Sequence, residues 1–129
     1  MLVENSAIDN KNNNILQIFK NPTLNNTTVF YNYVFNTIKV RLLLLLNCCG
    51  EGIISIDRVY KSASWLERES GEMFGIKYKI KTDTRCLLLD YTKQENPLLK
   101  DFPCEGFNDV FYSFFEDQVV INKATVVEI

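Results

Sequence analysis

The sequence predicts a small α+β domain, in which a sheet of mostly antiparallel strands packs on one main helix and an extended C-terminal tail follows. Two apolar runs, at 29–35 and 38–48, are separated by only two polar residues and therefore predict a β-hairpin. After Ser55, apolar residues recur at helical spacing. Residues 110–129 instead mix aromatic, acidic and β-branched side chains without a helical period, which indicates an extended segment with one or two β-strands.

Composition indicates one small globular domain with no nucleic-acid partner and no membrane span of its own. A chain of 129 residues with 47% hydrophobic residues can bury a single core. Its formal net charge of -2 provides no field that would attract nucleic acid. The longest apolar run, 42–46, is far shorter than the ~20 residues of a membrane-spanning helix. The acidic and polar residues 1–10 resemble neither a secretory signal nor a transit peptide, so we expect the chain to act where it is made.

The N-terminal segment 1–28 is polar and is expected to be partly loose, above all over 1–14. Within it, 15–19 favours one turn of amphipathic helix that ends before Pro22. The α+β domain itself is expected to span 29–105. The run of leucines in its hairpin predicts a strand buried on both faces, although periodicity alone does not exclude a buried helix.

The main helix is predicted to begin after Ser55, a good N-cap, with Asp57 in the first turn where the helix dipole favours an acid. It is expected to end at Phe74, because glycine, here Gly75, often follows the last helical residue. Gly71 weakens this helix by up to ~1 kcal/mol relative to alanine and can split it. The residues expected on its core face are Ile56, Val59, Tyr60, Ala63 and Leu66.

Residues 76–81 alternate apolar and basic side chains, which predicts a half-buried strand. Lys77, Lys79 and Lys81 would then share one face of that strand. This row of lysines is either a docking surface for an acidic partner or an ordinary solvated face, and the second interpretation is favoured because exposed charge is normal.

The aromatic and β-branched residues of the tail, 106–129, present more apolar surface than a monomer of this size covers easily. We expect the tail to dock as an extended arm on a neighbouring protein, where backbone hydrogen bonds at a sheet edge would supply affinity. The alternative is that the tail folds back as strands on its own domain.

The cysteines do not predict a metal site. Cys48, Cys49, Cys86 and Cys104 lack the Cys-x-x-Cys spacing of zinc sites, and the chain has no histidine. An iron–sulfur cluster held by the four thiolates stays as an alternative. Reduced, partly buried thiols are the favoured interpretation, so the chain is expected to bind no metal and no cofactor by itself.

Glu67, Glu69 and Glu72 form an acidic group around Arg68 on the predicted helix. Paired carboxylates can bind a metal or carry out acid–base chemistry, so a small carboxylate-based metal-dependent hydrolase is the alternative function. We favour an Arg68–Glu72 ion pair at i and i+4 with the other charges facing a partner, because histidine is absent and no nucleophile accompanies the carboxylates. No catalytic residue is therefore predicted.

The segment 65–76, WLERESGEMFGI, resembles the signature of the thirty-kilodalton subunit of respiratory complex I, the proton-pumping NADH:ubiquinone oxidoreductase. The similarity continues in register through the later motifs and covers roughly residues 55–129. The signature residues, which the resemblance places at a subunit interface, are Trp65, Glu67, Arg68, Glu69, Glu72, Phe74, Gly75, Lys81, Asp83, Arg85, Pro97, Lys100, Asp101, Phe102 and Pro103.

The chain departs from the family pattern at several positions. The family usually has histidine where Lys81 and Asn96 stand, proline at Thr82, a second arginine at Cys86 and an aromatic residue at Gly71. The N-terminal part is shorter than is usual in the family, so a helix and a strand are expected to come from a second polypeptide or a lineage-specific subunit.

The resemblance implies a structural, non-redox subunit of the quinone module of complex I, which supports electron transfer from NADH to ubiquinone coupled to proton pumping. It implies that the chain packs chiefly against the large subunit that lines the quinone cavity. FMN, iron–sulfur clusters and ubiquinone would be bound elsewhere in the assembled enzyme. The implied location is the matrix side of the mitochondrial inner membrane, which suits an organelle-encoded chain, or else the cytoplasmic face of a bacterial plasma membrane.

Overall fold

The structure, a computed structural model, describes residues 1–11, 27–48, 51–91 and 95–124. In chain order the elements are β1 (Leu2–Asp9), β2 (Thr27–Phe35), β3 (Val40–Asn47), β4 (Ile53–Ile54), α1 (Ser62–Phe74), β5 (Tyr78–Lys79), β6 (Asn108–Ser113) and β7 (Gln118–Lys123). The predicted α+β class, with mostly antiparallel strands, one helix and a C-terminal region that contains strands, is confirmed.

Strands β1, β2 and β3 form an antiparallel sheet with β2 in the centre. A turn at 36–39 joins β2 to β3, and Tyr31 pairs with Leu44 near the middle of the two strands. The predicted hairpin is therefore confirmed. Helix α1 packs on β1, and the core between them includes Val29, Tyr31 and Ala63, all of which are almost fully buried.

The prediction of a partly loose segment at 1–28 is wrong where the structure describes it, because β1 lies at one end and β2 begins at the other. The side chains that β1 buries are Leu2, Asn5, Ala7 and Asp9. Two of these are polar, and a register shift between Leu2 and Glu4 interrupts the alternation. The strand therefore lacks the apolar pattern by which a strand is recognised in a sequence. The helical turn predicted at 15–19 lies outside the described residues.

Strand β3 lies at an edge of the sheet, so the prediction that its leucines are buried on both faces is wrong. Leu42, Leu43 and Leu44 remain 48, 57 and 40% exposed. Helix α1 packs on β1, at the opposite edge, and does not extend its cover to these side chains. A continuous apolar run therefore predicts a strand but does not show that the same chain covers it.

Helix α1 begins at Ser62, later than predicted, and no side chain caps it there. The Ser55 hydroxyl donates to the carboxylate of Glu67, and the Asp57 carboxylate accepts hydrogen bonds from Thr82. The Ser55 hydroxyl also accepts from the Asp57 amide at 3.3 Å, as a capping residue would, but the chain forms a turn over 57–59 and becomes helical only at Ser62.

The end of α1 is as predicted. Phe74 is the last helical residue, and Gly75 follows with a φ of 70°, in the left-handed region that glycine adopts without strain. Gly71 does not split the helix, which continues through it. Of the predicted core face, Ala63 is fully buried, whereas Val59 is exposed in the turn that precedes the helix.

The alternating segment 76–81 forms only a two-residue strand, β5, which pairs in parallel with β4. The alternation ends at Ile80, whose φ of 59° lies in the left-handed region and whose side chain is exposed. The following side chain, Lys81, is only 3% exposed. The predicted row of solvated lysines is therefore wrong at Lys81, while Lys77 and Lys79 are exposed.

The chain divides into two compact units, Met1–Leu99 and Lys100–Ile129. In the second unit β6 and β7 form an antiparallel hairpin, which confirms the predicted C-terminal β-strands. The rings of Phe102 and Phe107 in this unit meet edge to face, with their centroids 5.1 Å apart. The turn 114–117 between the two strands carries two phenylalanines that are almost completely exposed.

Candidate functional site

The inward face of helix α1 is largely polar. Its buried residues are Ala63, Glu67 and Ser70, which recur at i, i+4 and i+7 and so share one face. Glu67 has no exposed surface. Because a buried carboxylate is costly unless it is paired and hydrogen-bonded, the groups around Glu67 define the centre of the candidate site.

The Glu67 carboxylate is satisfied by donors from several other segments of the first unit. The Lys81 ammonium lies 3.2 Å from Oε2, and the Ile56 amide donates to Oε1 at 3.0 Å. The Ser55 hydroxyl donates to Oε2, and the Tyr31 hydroxyl donates to Oε1 across 3.5 Å. One buried side chain therefore joins α1 to β2 and to the segments that precede and follow the helix.

A second carboxylate completes a group that we name the charge triad, which consists of Asp57, Glu67 and Lys81. The Lys81 ammonium lies 3.6 Å from Asp57 Oδ2, and the amide and hydroxyl of Thr82 donate to the same oxygen at 3.2 and 2.8 Å. Burial alone would raise the pKa of Asp57, but the Thr82 donors and the Lys81 charge hold it below its usual value. The triad is thus an ammonium between two carboxylates, with all three side chains almost completely buried.

The Arg68 side chain, on the same helix, binds backbone carbonyl groups of the loop 83–89. Its guanidinium donates to the carbonyl oxygens of Arg85 and Cys86 at 2.9 and 3.0 Å and lies 3.7 Å from the Asp83 carboxylate. The Arg68 side chain is 8% exposed, so these contacts lie largely out of water, where charge-assisted hydrogen bonds are stronger.

Glu72 binds the same loop through its amides. One carboxylate oxygen accepts from Leu87, and the other accepts from Leu88 and Leu89 at 3.0 and 3.3 Å. Successive backbone amides that point at one anion form an anion-binding site, which the Glu72 carboxylate occupies here. In this described part of the chain no ion pair joins Arg68 to Glu72, so the predicted i, i+4 pair is wrong, and both side chains hold the loop instead.

Ser70 extends the polar interior toward β1. Its hydroxyl donates to Asn5 Oδ1 at 2.8 Å and lies 2.8 Å from the Tyr78 hydroxyl. Burial raises the pKa of Tyr78, and burial likewise raises the pKa of Tyr31. Both phenols therefore stay protonated and can donate hydrogen bonds within this interior.

A cavity of about 560 Å³ lies beside the polar interior, within the first unit. Its apolar wall includes Gly71, Gly75, Ile76 and Tyr78. The charged residues of the network that also line it are Glu67, Arg68, Glu72 and Lys81. These four charges are already paired or hydrogen-bonded within the chain, so the cavity adjoins the charge network around α1.

The structure brings one group of predicted signature residues together and leaves others apart. The group beside α1 consists of Glu67, Arg68, Glu72, Lys81, Asp83 and Arg85. Trp65 and Glu69 lie on the outer side of the helix, where Trp65 is 66% exposed. Phe74 packs against the core. The remaining signature residues at 100–103 belong to the second unit.

Two other signature positions shape the chain that follows the helix. Gly75 leaves room for Asn96, because a Cβ at position 75 would lie 2.7 Å from the Asn96 side-chain amide nitrogen. Pro97 precedes Leu98, whose amide donates to the Met73 carbonyl oxygen at 3.1 Å. These contacts return the segment after residue 95 to the C-terminal end of α1.

The glutamates of the alternative hydrolase do not converge. Glu67 points into the core, Glu69 is exposed, and Glu72 is bound to loop amides. Among the residues that the structure describes, no group of three or more His, Cys, Asp or Glu side chains is arranged to hold a metal ion. The described cysteines are free thiols, and Cys49 lies outside the described residues. No helix in the described ranges combines the length and hydropathy needed to cross a bilayer.

Sequence reasoning missed the roles of Ser55, Asp57 and Tyr31 around Glu67. Ser55 and Asp57 did stand out, but as helix-capping residues, because capping is the commonest local use of such side chains. The sequence pointed to the charge triad only through Lys81, at the end of the alternating segment. The Lys81 side chain faces inward because the backbone turns at Ile80, which local spacing does not predict.

Residues 1–108 match the model of a protein family described as the 30 kDa subunit of respiratory-chain NADH dehydrogenase. The chain belongs to this family. The resemblance carried by the segment 65–76 is thereby confirmed, and the match also includes β1, β2 and β3. It ends at residue 108, so nearly all of the β6–β7 hairpin lies beyond it.

Relatives named as subunits of NADH-ubiquinone or NADH-quinone oxidoreductase occur in Paramecium and in a Wolbachia. The NADH-ubiquinone oxidoreductase subunit 9 of Paramecium primaurelia is 41% identical over 103 residues, which are 79% of this chain and 49% of that protein. Subunit 9 of Paramecium tetraurelia is 37% identical over the same shares of both chains. An NADH-quinone oxidoreductase subunit from a Wolbachia is 41% identical over 68 residues, 53% of this chain and 36% of that protein. The chain spans about half the length, or less, of these curated relatives.

Proposed function

We propose that this chain is a structural subunit of the quinone module of respiratory complex I and supports electron transfer from NADH to ubiquinone without catalytic residues of its own. The observation that carries the proposal is the family match over 1–108, together with relatives named as subunits of NADH-ubiquinone or NADH-quinone oxidoreductase. The charge network supports a structural role, because Glu67, Arg68 and Glu72 all bind groups of their own unit.

An exposed part of the signature is proposed to contact the large subunit that lines the quinone cavity. We name it the signature surface, and it consists of the signature residues Trp65, Glu69 and Arg85 together with Leu88 of the adjoining loop. Trp65 and Leu88 are exposed apolar side chains, and the Arg85 side chain is 75% exposed. The contacts between α1 and the loop 83–89 hold these residues in place before binding. Tryptophan and arginine are enriched among the side chains that dominate binding energy at interfaces.

The tail, 106–129, is proposed to act as a docking arm on a neighbouring subunit. Its hairpin exposes Val110, Phe111, Val119 and Ile121 in addition to the turn phenylalanines. Because a two-stranded hairpin alone is marginally stable in water, a partner surface is expected to cover these side chains.

Truncation after Phe107 tests the docking arm. The shortened chain is expected to stay folded and soluble and to fail to enter the complex, as followed by circular dichroism and by native gels. If the shortened chain unfolds by itself, the tail belongs to the core of the protein and the docking-arm proposal is wrong.

We also propose that FMN, iron–sulfur clusters and ubiquinone are bound by other subunits of the assembled enzyme. The absence of histidine from the sequence and the lack of Cys-x-x-Cys spacing among its cysteines support this division. The proposed location is the matrix side of the mitochondrial inner membrane, and the cytoplasmic face of a bacterial plasma membrane is the alternative. Stoichiometric iron or zinc in the purified chain, measured by elemental analysis, would contradict the cofactor proposal.

Native-gel separation of respiratory membranes tests the whole proposal. Mass spectrometry of the band with NADH dehydrogenase activity is expected to find this chain in equal amount with the other subunits. The chain's absence from that band, while it is detected elsewhere on the gel, would refute membership in the complex. Metal-dependent hydrolysis by the isolated chain would favour the hydrolase alternative instead.

A further inference from the structure

Strand β3 carries apolar side chains on both of its faces. Leu42 and Leu44 share a face with Tyr31, because directly paired residues point to the same side of a sheet, whereas Leu43 and Leu45 point to the opposite side. Exposed side chains occur on each of these faces. The uncovered surface of β3 therefore continues around the edge of the sheet from one face to the other.

The backbone of this edge is open as well. The Cys48 amide donates to the Thr27 carbonyl at 2.9 Å, and bonded and non-bonded pairs alternate along antiparallel strands. The even-numbered residues of β3 therefore bond to β2, and Arg41, Leu43 and Leu45 direct their N–H and C=O groups outward. In the described part of the chain β2 is the single neighbour of β3.

The edge also lacks the usual protection against pairing. Exposed edge strands are commonly blocked by proline, by a bulge or by several charges. The strand reads VRLLLLLN over 40–47, pairs with β2 without a register shift, and has Arg41 as its single charge. An edge of this kind is suited to accept a further strand.

We propose that β3 accepts a β-strand from another polypeptide, with apolar residues on both faces of that strand and an acidic residue beside Arg41 and Lys39. The inference rests on the proposed function, since the partner is sought among proteins assembled with this chain. A strand beside β3 would cover side chains on both faces and satisfy the open backbone. A helix on one face would cover Leu42 and Leu44 and leave Leu43 in water.

The positive charges of Arg41 and Lys39 indicate what kind of strand pairs with β3. Arg41 and Lys39 lie at the start of β3, are both exposed, and make no ion pair among the described residues. A second copy aligned in parallel would place Arg41 beside Arg41, and an antiparallel copy would offer leucines or Asn47 to these charges. A different chain with an acidic residue at this end complements both cations.

Leu43→Pro tests the edge directly. Proline removes the outward N–H of residue 43 and leaves the hydrogen bonds between β2 and β3, which is the position where an edge strand tolerates it. Leu43→Ala is the matched control, because it shortens the side chain and keeps the donor. In the full-length chain, Leu43→Pro is expected to lower incorporation into the NADH dehydrogenase band about tenfold, and Leu43→Ala much less. Equal incorporation of wild type and Leu43→Pro would overturn the proposal.

Hydrogen exchange of the wild-type chain gives a second measurement that does not depend on the folding of a variant. The amides of Arg41, Leu43 and Leu45 are expected to exchange at least about tenfold more slowly in the assembled complex than in the purified chain. The amide of Leu44, already bonded to β2, serves as the internal control. Unchanged exchange of the outward amides would overturn the proposal even if Leu43→Pro fails to assemble.

A photoreactive amino acid in place of Leu43 identifies the occupant in the assembled complex. The expected cross-link joins an extended segment of a different chain that has Asp or Glu near the position opposite Arg41. A cross-link to a second copy, to another segment of the same protein or to a helix would overturn the proposal. Arg41→Glu is expected to reduce incorporation, whereas Arg41→Lys is expected to retain it.

Different results would refute membership in the complex and the binding of a strand at β3. If the wild-type chain is missing from the NADH dehydrogenase band, the proposed function fails. If the wild-type chain is present there and the outward amides of β3 stay unprotected, the strand inference alone fails.

Discussion

Helix α1 buries charge, whereas strand β3, in the same unit, exposes leucine. Glu67 on α1 has no exposed surface, and the Lys81 ammonium lies 3.2 Å from its carboxylate. Leu43 on β3 is more than half exposed at an open sheet edge. The groups that bury and hydrogen-bond Glu67 belong to the same chain. No described residue covers the exposed side chain of Leu43. Burial thus follows from where the partner groups are, and residue type alone does not decide it.

The two regions also differ in what their side chains do for the fold. The buried charges and polar groups around α1 connect the helix to β1, β2, the segment 55–57 and the loop 83–89. The exposed leucines connect β3 to nothing on its outer side among the described residues. Mutations in the first region are therefore expected to change stability, and mutations in the second are expected to change assembly.

The largest effect is expected from Glu67→Ala. Removal of this carboxylate leaves Lys81 buried without the nearer of its two partners, and the free energy of unfolding is expected to fall by about 3–5 kcal/mol. Urea denaturation of the full-length chain measures the change. Glu69→Ala, on the exposed side of the same helix, is the control and should stay within about 0.5 kcal/mol of wild type. Equal stability of the two variants would show that the charge triad is not buried.

Arg68→Ala is expected to cost about 2 kcal/mol, because two loop carbonyls lose a charged donor. Exchange of the Leu87, Leu88 and Leu89 amides should become faster as the loop loosens. Arg68→Lys should restore little, since an ammonium does not reproduce the planar fork of guanidinium donors. In the assembled enzyme the amount of complex should fall more than the turnover per complex. Normal assembly with lost turnover would argue against a structural role.

A smaller effect concerns acid stability. The pKa of Asp57 in the folded chain is lower than its ordinary value of 3.8. Its stabilising contribution is therefore complete above that ordinary value and is lost as the pH falls below it toward the lower folded pKa. Asp57→Asn should flatten the dependence of unfolding free energy on pH in this acidic window. An unchanged slope would mean that Asp57 is not held ionised by Thr82 and Lys81.

Ile80→Gly is expected to stabilise the chain slightly. A left-handed φ costs an L-residue about 1–2 kcal/mol, and glycine removes this strain. Glycine also has more conformational entropy in the unfolded chain, which offsets about 0.5–1 kcal/mol of the gain. Because the Ile80 side chain is 65% exposed, little packing is lost. Ile80→Ala keeps the strain and is the control in thermal unfolding. A loss of stability in the glycine variant would show that the isoleucine side chain is covered.

The smallest effect is expected from Leu43→Thr in the isolated chain. Threonine suits a strand, and the leucine is mostly exposed, so the unfolding free energy should change by no more than about 0.5 kcal/mol. A loss of several kcal/mol would mean that the same chain covers β3. That result would remove the contrast between the two regions.

Local patterns predicted the β2–β3 hairpin and the end of α1, because each depends on residues adjacent in sequence. A short polar interruption between apolar runs favours a hairpin, and Gly75 allows the left-handed conformation that ends a helix. The start of α1 could not be predicted in the same way. Ser55 accepts from the Asp57 amide as expected of a cap, but the two side chains also bind Glu67 and Thr82, which lie 12 and 25 residues away, and the helix begins later.

The sequence by itself determined the α+β class, the family and the charged signature, since these follow from residue types and their spacing. Only the tertiary structure decided which members of the signature are buried. Lys81 faces inward because the backbone turns at Ile80, and Glu67 is tolerated in the core because donors from β2, from 55–56 and from Lys81 meet there. β1 is a strand because β2 offers a paired edge and α1 covers its face. Such burial depends on distant segments that meet in space, and no local pattern encodes which segments those are.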